Sequence, residues 1–333
     1  MSTKLRHIFC IVLFVCPATL AGAGTISIPL VTVGDPGNVA DPATGYGSVP
    51  YTYSIGEYDV TIGDYTAFLN SVAKSGDPYG LYNPKMASTS IGIVQTSTSA
   101  GYSYAVKGNG GMPVFDVNWG DTTRFTNWLA NGQPTGAEGP GTTETGTYTL
   151  SGATSNSGLM KVTRNPGSTW VLPTVDEWYK AAYYVGGGTN AGYWTYATQS
   201  NTPPSNVLSA TGTNNANFYD NGSTAPTGLT PVGAFAASPG AYGTYDMGGD
   251  VGEWNETDYG STARGFRGGS YASGFGILLS TTNEATDPAF AGSDVGFRVA
   301  YVPEPSAIVL LLGGAIASLL FITCQRLIKP SKE

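Results

Sequence analysis

The spacing of hydrophobic positions along this chain changes several times, and each change marks an element. Ile26, Ile28 and Leu30 alternate with polar residues, the two-residue period of a short strand. Loop follows to Pro50. Alternation resumes at Tyr53 and Ile55, breaks at Gly56-Glu57, and returns at Tyr58 and Val60. Thr61 stands three residues before Asp64, which predicts a helix start with Asp64 as a shorter stand-in for the usual capping-box acid. Tyr65, Phe68, Leu69 and Val72 then recur at helical spacing and are predicted core. Residues 77–104 hold D-P-Y-G-L-Y-N-P-K-M and a Ser/Thr/Gly-rich run, a composition that predicts no long regular element. Residues 113–118 read as a short strand. Asn118 caps a second predicted helix over 119–129, with Phe125, Trp128 and Leu129 facing inward. A hairpin strand is expected at 147–150. Thr174 and Glu177 form T-x-x-E, a capping box that opens a third helix with Trp178, Ala181 and Ala182 on one face. Lys180 on that helix is expected in solvent. Residues 186–229 are rich in Asn, Thr, Pro and Gly. A compact domain rarely keeps that much loop unless function or a bound ligand pins it, and calcium is one such ligand.

The two ends differ from the middle. Residues 1–23 read as a secretory signal. Lys4, Arg6 and His7 precede an apolar run over 8–15 that is too short to span a bilayer, and Ala21-Gly22-Ala23 offers a cleavage site. Residues 24–50 are an N-terminal strand and loop, and 51–301 the main domain. Beyond them, Pro303-Glu304-Pro305 leads into an uncharged run over 307–323, followed by Arg326, Lys329 and Lys332. That pattern predicts a membrane-spanning helix with its basic end in the cytoplasm.

Composition narrows the function. The net charge of −8 argues against nucleic-acid binding, since nothing here would neutralise phosphates. Residues 24–302 carry ten basic and twenty-one acidic side chains, which suits a solvated surface and divalent cations. Cys10, Cys16, Cys324 and His7 all lie in the terminal segments. Residues 25–323 therefore contain no disulfide, thiolate nucleophile, zinc site or histidine-ligated iron.

The stretch 241–271 carries the most chemistry. Its Gly248-Gly249 and Gly268-Gly269 pairs permit close backbone approach. Asp250 and Glu253 lie three apart around Val251 and Gly252, an oxygen-only set suited to a hard cation such as calcium. The alternative is a glycine-rich turn with a solvated carboxylate pair.

Y-G-T-Y-D-M-G-G-D-V-G-E-W and R-G-G-S-Y in this stretch, L-P-T-V-D-E-W-Y-K-A-A at 172–182 and G-F-R-V-A at 296–300 resemble the motifs of the formylglycine-generating enzyme, or sulfatase-modifying factor, family. The motifs occur in family order. The resemblance implies an α+β, C-type-lectin-like fold with little regular secondary structure and long Gly-rich loops. It also implies a structural calcium held by Asp250, Glu253 and the Val251 carbonyl. A second calcium site is implied at Asn217 and Phe218, where the expected acid is replaced near Thr224, with Asp220 a substitute. Trp254, Ser270, Tyr271, Ser273 and Phe275 would line the substrate groove, and aromatics beside small polar residues suit a polysaccharide or peptide ligand. Family oxidases place two copper-binding cysteines after R-G-G-S; Ser273 and Leu278 stand there. A hydroxyl and an isobutyl group do not hold Cu(I), which prefers soft thiolates. The ergothioneine-pathway branch needs histidines for iron, and the domain has none. No copper, iron or zinc is therefore expected.

Pro-Glu-Pro, a spanning run and a basic tail resemble the PEP-CTERM sorting signal. The resemblance implies recognition by an exosortase, removal of the tail, and export to the envelope surface or extracellular matrix. A permanent membrane anchor is the alternative. Arg267 and Arg298 are expected to brace loops through salt bridges. Ser270 and Ser273 lack a histidine to activate them. Asp246, Asp250, Glu253 and Glu256 remain as carboxylates for glycoside hydrolysis. Two functions compete: a non-catalytic extracellular binding module, and an enzyme of unknown reaction using the same groove.

Overall fold

A computed structural model describes residues 25–302, apart from 221–225, 227 and 261. The predicted signal and the 307–323 run lie outside the described residues. Among those described, no helix is long and apolar enough to cross a membrane.

Three small sheets and three capped helices surround two aromatic cores. The first sheet has the order β1-β2-β10-β5, formed by Leu30–Val33 (β1), Tyr53–Gly56 (β2), Trp170–Val171 (β5) and Ala300–Tyr301 (β10), all antiparallel. Gly92–Thr98 (β3) and Gly101–Lys107 (β4) make an isolated hairpin. The third sheet has the order β8-β7-β6-β9, from Glu284–Thr286 (β8), Arg264–Arg267 (β7), Gly252–Asp258 (β6) and Val295–Gly296 (β9). In it, β6 and β9 run parallel.

The helices begin where their caps place them. Thr61 and Asp64 close a reciprocal capping box on Ile62–Val72 (α1). Asn118 and Asp121 do the same for Trp119–Ala130 (α2), and Thr174 and Glu177 for Val175–Tyr183 (α4). Each box satisfies backbone N–H groups that the first helical turn leaves open. A single turn, Asn156–Leu159 (α3), adds a helix that periodicity does not announce.

The first core lies between α1 and α2, where Tyr65, Phe68, Phe125, Trp128 and Phe297 contact one another ring to ring. The second lies under α4, where Trp178, Tyr179 and Tyr183 pack on Tyr53 and Ile55. One closing segment serves both. Phe297 and Val299 enter the first core, and Ala300 enters the second.

Three expectations are corrected. Residues 92–107 form the longest hairpin among the described residues, where composition predicts loop. Its cross-strand pairs Ile93–Val106 and Gln95–Tyr104 outweigh the Ser/Thr content, because pairing depends on neighbours across the strand. Residues 113–118 form no strand and only bridge at Pro113 to Thr61; 147–150 likewise contribute one bridge, Tyr148 to Arg164. Proline at 113 has no N–H to extend a ladder.

Candidate functional site

An ion pair with no solvent exposure sits at the junction of the two cores. Strand β6 delivers Glu253, and the turn between β9 and β10 delivers Arg298. Arg298 Nε and Nη2 donate to the two carboxylate oxygens of Glu253 at 2.5 and 2.8 Å. Trp178 Nε1 of α4 donates to the same carboxylate at 2.8 Å. Asp59 approaches the guanidinium at 3.4 Å, and the carbonyls of Gly56 and Tyr245 accept from it at 3.0 and 2.9 Å. Burial together with Glu253 holds the Asp59 carboxyl well above its usual range.

Asp250 faces elsewhere. Its backbone is left-handed at φ 62°, and its carboxylate accepts from Thr230 N at 3.0 Å, Thr230 Oγ1 at 2.9 Å and Asn217 Nδ2 at 3.1 Å. Gly249, at φ 91°, lies so close beneath Asn217 that an added Cβ would collide with the Asn217 carbonyl. Burial first, and the neighbouring Asp246 second, push Asp250 up to about 8. Asp246 rises to about 6 through burial, although Gly233 N–H donates to it.

The two carboxylates of the expected calcium shell have protein partners in this geometry. Asp250 and Glu253 do not converge on one point: each is already engaged by protein donors, and Val251 between them is buried packing. Among the described residues, no three His, Cys, Asp or Glu side chains are placed to hold a metal. The Glu253 carboxylate is taken up by Arg298 and Trp178. Asn217 differs: its Oδ1 is buried and accepts no hydrogen bond among the described residues, while its Nδ2 is fixed by Asp250 and Gly228. The Phe218 carbonyl accepts from Asn206 at 3.3 Å, and Thr224 lies outside the described residues. The four carboxylates read as hydrolytic candidates are likewise dispersed, for Glu256 pairs with Arg164 at 2.7 Å.

The loop after β7 forms the groove. Gly249 N donates to Gly268 O at 2.9 Å, and Tyr271 N to Asp250 O at 3.0 Å, so the two glycine pairs lie backbone on backbone. Ser270 is buried; its Oγ lies 3.1 Å from Ser273 Oγ and donates to Asp294 at 2.9 Å. Tyr271 borders a cavity of about 450 Å³ with Ile91, Met112, Phe115 and Leu229. Ser273 is half-buried and Phe275 exposed at the rim. Leu278 is buried against Tyr196, Ala216 and Phe218. Trp254 does not line the groove. It is fully buried, donates to the Val117 carbonyl at 3.1 Å and packs edge-on against Phe266.

The sulfatase-modifying factor enzyme 1-like domain matches residues 32–302. The chain belongs to this family. Among solved structures, CarF is similar with a TM-score of 0.50 and 23% identity, covering 83% of this chain and 98% of its own. Treponema denticola variable protein 1 follows at a TM-score of 0.45, 19% identity, and 85% and 98% coverage. PvdO from Pseudomonas aeruginosa gives 0.43, 18%, and 82% and 91%. No curated protein matches the chain. The likeness to CarF bears on fold alone.

Several residues of this sulfatase-modifying-factor-like domain escape sequence reasoning. Lys180 is not in solvent: it is enclosed, donates to the Asp35 carbonyl at 2.9 Å, and is pulled down to about 8 by burial. The N-terminal loop covers it, a long-range contact that helical periodicity does not encode. Arg298 is a salt-bridging brace as expected. Arg267 makes no salt bridge among the described residues; it lies 5.0 and 5.1 Å from the rings of Tyr46 and Tyr179 and donates to the Ser280 and Thr282 carbonyls. Asp294 and Asp116, neither in a motif, reach the groove only through the fold.

Asp246 and Asp250 bind a proton more tightly folded than unfolded. Their contribution to stability therefore grows as pH falls from about 8 towards the ordinary 3.8, and is lost as pH rises through that window. Melting followed by circular dichroism should give a higher Tm at about pH 5.5 than at about pH 8.5, and Asp250→Asn should flatten the difference. A Tm that falls on acidification across this range would contradict the assignment.

Proposed function

We propose that the chain is an exported sulfatase-modifying-factor-like domain that binds rather than catalyses, at a cell surface or in an extracellular matrix. The observation that carries this reading is the chemistry of the loop after Arg267-Gly268-Gly269-Ser270. Serine stands at 273 and leucine at 278, in a domain without cysteine or histidine. Copper oxidation of a thiol substrate requires soft ligands that these side chains do not supply. What remains is a groove with an aromatic edge, Tyr271 and Phe275, and a small hydroxyl at Ser273, which the buried Ser270 holds in place. Such a surface suits a polysaccharide or peptide. Incubated with copper, oxygen and a sulfatase-type cysteine peptide, the domain should form no aldehyde above a protein-free control. Formylglycine detected by mass spectrometry would overturn the binding reading.

Calcium belongs to the same proposal, on the Asn217 side. Asn217 Oδ1 and the Phe218 carbonyl would hold a hard cation there, where it would pin the long loop between α4 and β6. Removing calcium with excess chelator should lower Tm, because a ligand bound only to the folded state stabilises it by mass action. Asn217→Ala should abolish that dependence. An identical melting curve with and without chelator would remove calcium from the reading.

Export rests on the two ends of the sequence. Cleavage after Ala23 would leave Gly24 first, and the 307–323 run would hold the chain at the membrane until an exosortase-type enzyme removed the tail. Mass spectrometry of the mature protein should find residues from 307 onward missing. An exported form ending at Glu333 would mean a simple membrane anchor instead.

A further inference from the structure

The groove has a second lobe that no sequence motif marks. A cavity of about 310 Å³ is lined by Lys85, Ser88, Asp116, Phe290, Ser293 and Asp294, among others. It shares Ser293 with the larger cavity beside Tyr271. The Asp116 backbone is held left-handed at φ 56° and its N–H donates to the Gly292 carbonyl at 2.8 Å. The residue is only 3% exposed. Yet among the described residues its carboxylate makes no hydrogen bond and no ion pair. The carboxylate borders the cavity, where a donor or a cation would compensate its burial. Burial and the nearby Asp294 both raise its pKa, and exposed Lys85 acts in the opposite sense. Two carboxylates and one ammonium leave the lobe one positive charge short.

Its other features describe the missing partner. Phe290 is 45% exposed at the mouth, a flat apolar face of the kind that stacks against the C–H face of a sugar ring. Ser88 and Ser293 add hydroxyl groups on the same wall. Carboxylates accept hydrogen bonds from pairs of sugar hydroxyls and from an ammonium group.

We propose that this lobe is a subsite for an amino sugar bearing a free ammonium, within a polysaccharide laid along the groove. The proposal rests on the binding-module reading and gives that module its ligand class. Asp116 and Asp294 would receive the ammonium, and Phe290 would carry the ring. The adjoining cavity, lined by Ser90, Tyr271 and apolar side chains, would hold the neighbouring unit.

Titration of the full domain with a glucosamine hexamer, an N-acetylglucosamine hexamer and a Leu-Lys tetrapeptide, followed by calorimetry, tests this. The glucosamine hexamer should bind at least ~10-fold tighter than its acetylated form, since acetylation removes the charge that the carboxylates would pair. Asp116→Asn and Asp294→Asn should each erase that preference. Asparagine tolerates the left-handed backbone at 116, so an unchanged Tm in these variants would separate binding from folding. Phe290→Ala should weaken both hexamers equally. Equal binding of the two hexamers, tighter binding of the peptide, or no binding by any probe would each overturn the subsite. None of these outcomes concerns the aldehyde assay, on which the non-catalytic reading stands or falls.

Discussion

The ion pair between Glu253 and Arg298 is the constraint on which the rest of the domain depends. Neither side chain has any exposure, so both charges have left water. Desolvating two ions costs several kcal/mol each, and their attraction offsets this only when the geometry is good and the remaining donors and acceptors are filled. Here they are filled from four separate segments: Trp178 on α4, Asp59 before α1, the Gly56 carbonyl on β2 and the Tyr245 carbonyl in the loop ahead of β6. Helix α4, the approach to α1, strand β2 and the loop ahead of β6 thus meet at the same pair of charges. Removing one partner from such a pair typically costs about 3–5 kcal/mol, because the other remains buried and uncompensated. The pair's role is to specify where these segments meet, more than to add stability.

The same logic separates the two halves of the D-V-G-E motif. Strand geometry turns Glu253 towards the core, while the left-handed backbone at Asp250 sends its carboxylate to Thr230 and Asn217. Residues three apart in sequence therefore serve different networks. The glycines on either side matter through contact. Gly249 and Gly268 let two chain segments lie backbone on backbone, and that contact presents Tyr271 and Ser273 at the groove, with Ser270 buried behind them.

How far the sequence could be read depended on the range of the interaction. The capping boxes at Thr61 and Thr174 are local, and both helices begin where those residues indicate. The motifs with specific order led to the right fold. Readings failed where distant segments decide the outcome. Lys180 looks solvated on its helix until the loop carrying Asp35 folds over it. Trp254 follows the glycine-rich run that ends at Glu253, but its strand turns it inward to Val117. Asp116 and Asp294 lie far apart along the chain and belong to no motif, so only the fold places them in one cavity. The β3–β4 hairpin was obscured by its composition, since cross-strand partners decide its pairing and single-residue preferences do not.

The position of β10 has a consequence for how the domain forms. This last strand of the described chain lies inside its sheet, between β2 and β5, and the segment just before it carries Arg298 and the residues shared by both cores. A chain emerging from the N-terminus outward therefore holds nearly every element before it holds the one that joins them. Until residue 301 is available, β2 and β5 keep open edges and Glu253 has no counter-charge. The pairings of β10 with β2 and β5 thus join residues far apart in the chain, and non-local pairings of this kind slow the formation of a sheet.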